Sequence, residues 1–276
     1  MYRIVKALNH NAVIVLSPDK QKRFLVLYKG IGFGRKTAER LELPEEAELY
    51  SLEAASERGD ATSIVSHVDP VCLEIAGRIL GEAEKTFKKV DRQIVFPMAD
   101  HLSFAIQRMK NGEGIHNPLK EDIQLLFHSE YKVASSVHEE VKERLGVELS
   151  EDEIGFLALH VHSSIEDESV SQSLKTAQIV RSCIGFIEDK TGQKLQVTSI
   201  GYNRMMNHIR YMVTRMEIGE EIKMNLNDYM RVKYPEMYHL SEEICNEMSR
   251  FLKKEYHDSE IGYLAMHIAR VIGVEE

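Results

Sequence analysis

The sequence predicts a multidomain chain, a small all-β domain followed by two tandem all-α helical bundles. Three observations predict it. Residues 1–55 run in short β-branched stretches between turn residues, apolar positions recur at helical spacing from about Val68, and the helical part is duplicated. Glu153–His160 reads E-I-G-F-L-A-L-H and returns as Glu260–His267, E-I-G-Y-L-A-M-H, with six of eight positions identical at an offset of 107. His101–Met109 is echoed at the same offset by His208–Met216, so each copy holds two histidines 59 residues apart. The expected boundaries are 1–56 for the β domain, 57–66 for a linker, and 67–170 and 171–276 for the bundles.

Each element has its own signal. Ile4-Val5 and Ala7-Leu8 lead into Asn9-His10-Asn11, three residues that tolerate turns. Ala12–Leu16 is a β-branched strand, Ser17-Pro18-Asp19-Lys20 a turn, and Phe24–Tyr28 a third strand. Three alternate glycines in Lys29–Gly34 break the chain before a fourth strand at Glu48–Leu52. So small a sheet buries too little to stand alone and must dimerise or lean on a neighbour. Residues 53–66, with Arg58-Gly59-Asp60, read as linker. In Asp100–Lys110 the helical spacing sets His101, Phe104, Ala105 and Arg108 on one face. Asn117-Pro118 breaks the next stretch, and Ser150 with Glu153 resembles a capping box for the helix carrying His160. The second copy repeats the plan from about Ser171, with a break at Tyr234-Pro235 and Asp258 as the cap before His267.

The chain of 276 residues has room for two or three domains. No apolar run reaches the roughly 18–20 residues a membrane helix needs, and no long apolar block follows Met1 as in a signal peptide. Membrane insertion is therefore not expected. The three cysteines are scattered and lack C-x-x-C spacing, which favours a reducing cytoplasm over a disulfide scaffold. The net charge of −9 is unevenly spread: residues 1–40 carry +7 and the remainder −16. A basic head on an acidic body suits a polyanion partner, although a solvated basic face gives the same count.

A lone histidine is most often a satisfied core or surface residue. Four in two register-matched pairs, inside the best-kept segments of a duplication, point instead to function: His101, His160, His208 and His267. Metal binding fits poorly, because His160 and His162 lie about 200° apart on a helix and no acid or thiol cluster repeats beside all four. No metal or other cofactor is expected. His257-Asp258 resembles the dipeptide of metal-dependent phosphohydrolases, but its counterpart is Ser150-Glu151 and a helix cap explains it better. P-loop and nucleophile-elbow signatures are absent, so an enzyme is not expected. The remaining use is covalent modification. A phosphoryl group turns a near-neutral imidazole into about −2 of charge. Arg108 and Arg215, two turns beyond His101 and His208, are either its partners or ordinary salt-bridge residues.

In the head, Lys29–Lys36 exposes backbone, Phe33 and the cations Lys29, Arg35 and Lys36. Glycines allow close approach, an aromatic stacks on an unpaired base and cations hold phosphates, as RNA loops and bulges demand. The alternative is a glycine-rich hairpin with Phe33 in the core.

These motifs resemble the BglG/SacY-type transcriptional antiterminators over essentially the whole chain. Lys6, Asn9-His10-Asn11 and Lys29–Lys36 are similar to the family's RNA-binding co-antiterminator domain. Asp100-His101 with Ile154–His160, and His208 with Ile261–His267, are similar to its two phosphotransferase-system regulation domains. Tyr28 and His10 depart from the family's usual Gly and Asn, and residues 37–43 lack its usual Gly-Asp. The resemblance implies a homodimer whose Lys6, Asn9, Asn11, Lys29, Gly30, Gly32, Phe33, Arg35 and Lys36 bind an antiterminator RNA hairpin and so prevent terminator formation. It implies that a sugar-specific enzyme II phosphorylates the first regulation domain, with His101 and His160, to inhibit, and that the phosphocarrier HPr often phosphorylates the second, with His208 and His267, to activate. The alternatives are a DNA-binding activator with the same regulatory domains, whose head would be a helix-turn-helix, and a histidine-dependent phosphohydrolase.

Overall fold

The computed structural model describes residues 1–273 except 20, 54, 57, 58 and 167, and excludes the side chains of 55, 56 and 59. Lys20 of the expected turn, and Ala54, Glu57 and Arg58 of the expected linker, thus lie outside the described residues. The chain divides into two compact units, Met1–Ser173 and Leu174–Glu276.

The first unit opens with β1 (Tyr2–Ala7), β2 (Ala12–Leu16), β3 (Arg23–Leu27), β4 (Arg40–Leu41) and β5 (Glu48–Ser51). They form one antiparallel sheet in the order β4-β1-β2-β3-β5. Strand β4 escapes sequence reading because two residues carry no period. Alternation along the strands sends Ile4, Val13, Val15, Val26 and Leu41 to one face, where Ile31 joins them. Ala12, Leu25, Leu27 and Tyr50 go to the other. The head is therefore a sheet, not the helix-turn-helix of a DNA-binding activator.

That second face shares one core with α1 (Ala61–His67), α2 (Pro70–Thr86) and α3 (Val95–Lys110). Tyr50 meets Phe96 edge-on at 6.2 Å, and its hydroxyl donates to Glu48 at 2.7 Å. Each large apolar side chain buried there contributes about 1.5–3 kcal/mol. The small sheet thus leans on the first bundle. The expected linker is also ordered at its far end: β6 (Ala55–Ser56) pairs with β7 (Gly59–Asp60), and Asp60 caps α1 by accepting from Ser63 N at 2.6 Å. Residues 61–66 are therefore helix, with Ala61, Ile64 and Val65 buried. Seven residues are too few for a helical period to stand out, and the capping aspartate reads as a turn.

The bundle continues with α4 (Lys120–Leu126), α5 (His128–Ser135), α6 (His138–Leu145) and α7 (Glu151–Ile165). Ser150 caps α7, accepting from Glu153 N at 3.3 Å, but the Glu153 carboxylate turns to α3 instead of closing a capping box. After α8 (Val170–Thr191), the second unit is built from α9 (Ile200–Ile218), α10 (Asn227–Lys233), α11 (Pro235–Leu252) and α12 (Ser259–Ile272). Pro235 opens α11 where its missing N–H costs nothing. Asp258 does not cap α12 with its side chain; its carboxylate accepts from Asn227. No helix among the described residues is long and apolar enough to cross a membrane.

Candidate functional sites

The turn at Asn9–Asn11 and the loop at Tyr28–Lys36 are one structure. Asn11 accepts from Gly30 N at its side-chain oxygen (2.8 Å) and from Tyr28 N at its carbonyl (2.9 Å), while His10 O accepts from Gly32 N at 2.9 Å. Gly32 packs so tightly on this turn that a Cβ would fall 2.1 Å from the Asn9 carbonyl oxygen. Gly30 and Gly34 hold φ of +78° and +66°, backbone that other residues resist. The locked loop projects Phe33, which is 70% exposed and meets His10 edge-on at 5.3 Å. That overturns the alternative of a core Phe33.

The cations Lys29, Arg35 and Lys36 are exposed on the same loop, with Arg35 3.7 Å from Glu39. Lys6 is exposed too, but on β1 opposite Ile14. The two asparagines are engaged. Asn9 and Asn11 donate their side-chain amides to opposite oxygens of Glu74 on α2, at 2.6 and 3.0 Å, and Arg144 holds the same carboxylate at 2.7 Å.

In the first copy, α3 and α7 bring His101 and His160 together, ring centroids 5.3 Å apart, with Phe156 5.6 Å from His101. His101, His160 and Glu153 are buried. Glu153 divides its carboxylate, one oxygen accepting from Arg108 at 2.8 Å and the other lying 3.2 Å from His101 Nε2. Burial pushes the Glu153 carboxyl up, but His101 and Arg108 outweigh it and hold it below the usual range.

In the second copy, α9 and α12 stack His208 on His267 at 4.7 Å, with Tyr263 5.2 Å from His208. Here Arg215 takes both oxygens of Glu260, at 2.6 and 2.8 Å, and His208 Nε2 is left 3.9 Å away, without a hydrogen-bond partner among the described residues. Burial, then the charge of His267 and Arg215, lowers His208 to about 3. Burial, then Arg270 and Arg204, lowers His267 to about 4. Both imidazoles are neutral at pH 7, with a nitrogen lone pair available as a nucleophile.

Residues 75–164 and 181–271 match the PRD domain family, and residues 2–58 match the CAT RNA binding domain family. The chain belongs to this family of CAT–PRD–PRD proteins. Among curated relatives, the GlcA/glcB genes antiterminator of Staphylococcus carnosus is 31% identical over 97% of this chain and 94% of its own. Protein GlcT of Staphylococcus haemolyticus is 30% identical over 97% of this chain and 95% of its own. The crystal structure of GlcT CAT-PRDI is 28% identical, covers 59% of this chain and 98% of its own, and has a TM-score of 0.49.

The two PRD matches fall on the two copies of the duplicated segment, and four letters of the repeated motif have a task. Its Glu holds the arginine two turns beyond the first histidine. Its aromatic ring lies against that histidine, and its last residue completes the pair. In the second copy the glycine admits a neighbouring helix, since a Cβ on Gly262 would fall 2.6 Å from the Asn227 side-chain oxygen, whereas a Cβ on Gly155 would meet nothing nearer than 3.8 Å. Sequence reading missed Glu153 and Glu260 by asking for an acid beside all four histidines, although the motif's first letter already marked them.

It also missed the ion pairs made by His162 and by His67 in the first unit. Buried His162 lies 3.0 Å from Glu130 and 3.4 Å from Glu168. Burial lowers its pKa, but the two carboxylates outweigh that and raise it. His67 of α1 pairs with buried Asp100 at 3.1 Å. Among the described residues, no three His, Cys, Asp or Glu side chains converge to hold a metal.

Proposed function

We propose that the chain is an RNA-binding transcriptional antiterminator of a sugar-uptake operon, controlled by histidine phosphorylation and not itself an enzyme. Residues 1–56 form the RNA-binding domain, 57–66 its connection, and 67–170 and 171–276 the two regulatory domains. The head acts as a homodimer in the cytoplasm, gripping an antiterminator hairpin so that the overlapping terminator does not form. Lys6, Asn9, Asn11, Lys29, Gly30, Gly32, Phe33, Arg35 and Lys36 make the contacts. The observation that carries this reading is the exposed Phe33 on a glycine-locked loop flanked by cations, a stacking platform with phosphate ligands around it.

His101, His160, His208 and His267 are the modification sites, with HPr and a sugar-specific enzyme II as donors. What supports them is the pairing of two imidazoles at the same register in both copies, His101 with His160 and His208 with His267. The full chain is expected to bind a bulged hairpin with an affinity that falls steeply with salt, as several neutralised phosphates require. Affinity that does not respond to salt, or equal affinity for an unrelated duplex, would contradict the assignment. Incubation with the phosphorelay proteins and phosphoenolpyruvate should place acid-labile label on these histidines.

A further inference from the structure

The two repeats hold the same glutamate in different ways. Arg108 takes one oxygen of Glu153, at 2.8 Å, and the other oxygen lies 3.2 Å from His101 Nε2. Arg215 takes both oxygens of Glu260, and His208 Nε2 stands 3.9 Å off. In the first repeat the carboxylate reaches the imidazole, and in the second it does not.

That contact fixes where the ring carries its proton. Glu153 is ionised, because His101 and Arg108 hold its carboxyl below the usual range, and a carboxylate can only accept. His101 Nε2 must therefore donate. A neutral imidazole has one N–H and one lone pair, so the lone pair that can attack lies on Nδ1. The two nitrogens point away from each other across the ring, and a group bonded to Nδ1 leaves the Glu153 contact intact. At Nε2 the same group, with about −2 of charge, would displace that hydrogen bond and lie against a buried carboxylate.

Resting on histidine phosphorylation as read above, we propose that Glu153 is the specificity-determining residue at His101: it holds the ring proton on Nε2 and directs the phosphoryl group to Nδ1. An acid that orients an imidazole through the nitrogen that does not react is a recurrent device of histidine chemistry. After transfer the ring keeps its Nε2 proton as a phosphoimidazolium, and Glu153 faces that cation. Glu260, clamped by Arg215, gives His208 no such direction.

The test uses the full chain and phosphoramidate, and needs no partner protein. The His101 Nδ1 lone pair attacks phosphorus and the donor's P–N bond breaks. Ammonia leaves from the zwitterionic donor, and the ring proton stays on Nε2. The peptide carrying His101 is isolated in alkaline solution, where phosphohistidine survives, and its isomer is read by phosphorus NMR.

The Nδ1 isomer should exceed the Nε2 isomer about tenfold or more, as a hydrogen bond to a charged group implies. Glu153→Leu should bring the ratio to that of the same chain labelled in denaturant. Glu153→Gln, whose amide oxygen still accepts from Nε2, should keep part of the excess. Nitrogen NMR of the unlabelled parent in mildly alkaline solution reads the tautomer without any variant having to fold, and a proton on Nε2 is expected. A lone pair on Nε2, label mainly on Nε2, or an Nδ1 excess that survives Glu153→Leu overturns the proposal alone. Absence of label at His101 while Nε2 carries the proton overturns the phosphorylation reading there, and the proposal with it.

Discussion

His101 and Glu153 are in contact, Nε2 to carboxylate oxygen at 3.2 Å, with Arg108 on the other oxygen. An anion at position 101 would share a nearly dry site with Glu153. His101→Asp, a rough mimic of the modified ring, is therefore expected to destabilise the first unit by about 2 kcal/mol or more. Glu153→Gln alone should also destabilise, because Arg108 loses its charge partner. Combined, the two should cost less than their sum, by about 0.5–3 kcal/mol, since the glutamine removes the repulsion. Strict additivity in denaturant unfolding would show that the aspartate and Glu153 do not meet.

Phe33 and Gly32 are neighbours with opposite expected phenotypes. Phe33→Ala removes an exposed ring, so stability should stay within about 0.5 kcal/mol of the parent. Hairpin affinity should still fall by about 1–3 kcal/mol as a stacking surface is lost. Gly32→Ala puts a methyl 2.1 Å from the Asn9 carbonyl oxygen, so the loop must open and both stability and affinity should drop. Unchanged hairpin binding by the Phe33 variant would remove the ring from the interface.

The sheet and the duplication were legible because each leaves a local pattern. β2 is a β-branched run and β3 an apolar one, both bounded by turn residues, and an offset of 107 recurs in two separate segments. The candidate loop was legible through glycine, whose special backbone leaves a compositional mark. The partners of the sites were not. Glu74 is 63 residues from Asn11, and Glu153 is 52 from His101, distances over which sequence carries no local signal. Helix α1 and strand β4 were lost for a related reason, being too short for a repeated period to stand out.

Glu74 accepts hydrogen bonds from Asn9 and Asn11, two residues assigned to RNA. The carboxylate takes the donors that an RNA oxygen would use, and its negative charge faces the site where a phosphate backbone would approach. Glu74→Ala is therefore expected to tighten hairpin binding by the full chain about 5- to 30-fold, the equivalent of one or two charge-assisted hydrogen bonds partly recovered. Glu74→Gln should give an intermediate gain, because its amide can still accept. If the alanine variant binds no better than the parent, the asparagines do not contact RNA through these amides.

The histidines make the two units respond oppositely to acid. His162, raised by Glu130 and Glu168, stabilises the first unit fully below its unfolded pKa of about 6.5, and that contribution is lost as pH rises through the higher folded value. His208 and His267, depressed to about 3 and about 4, act the other way. Their contribution is present above about 6.5 and is lost as pH falls, because the unfolded chain takes up protons that the folded stack refuses. The loss is at most about 1.4 kcal/mol per pH unit for buried His208, and less for half-buried His267 because solvent screens it. Lowering pH from 7 to 5 should thus weaken hydrogen-exchange protection in α9 and α12 while α5 and α7 lose nothing through His162. His208→Gln should flatten the slope of the second unit. A second unit equally protected at both pH values would mean that the stacked imidazoles are charged or exposed, and the neutral nucleophile would be lost with them.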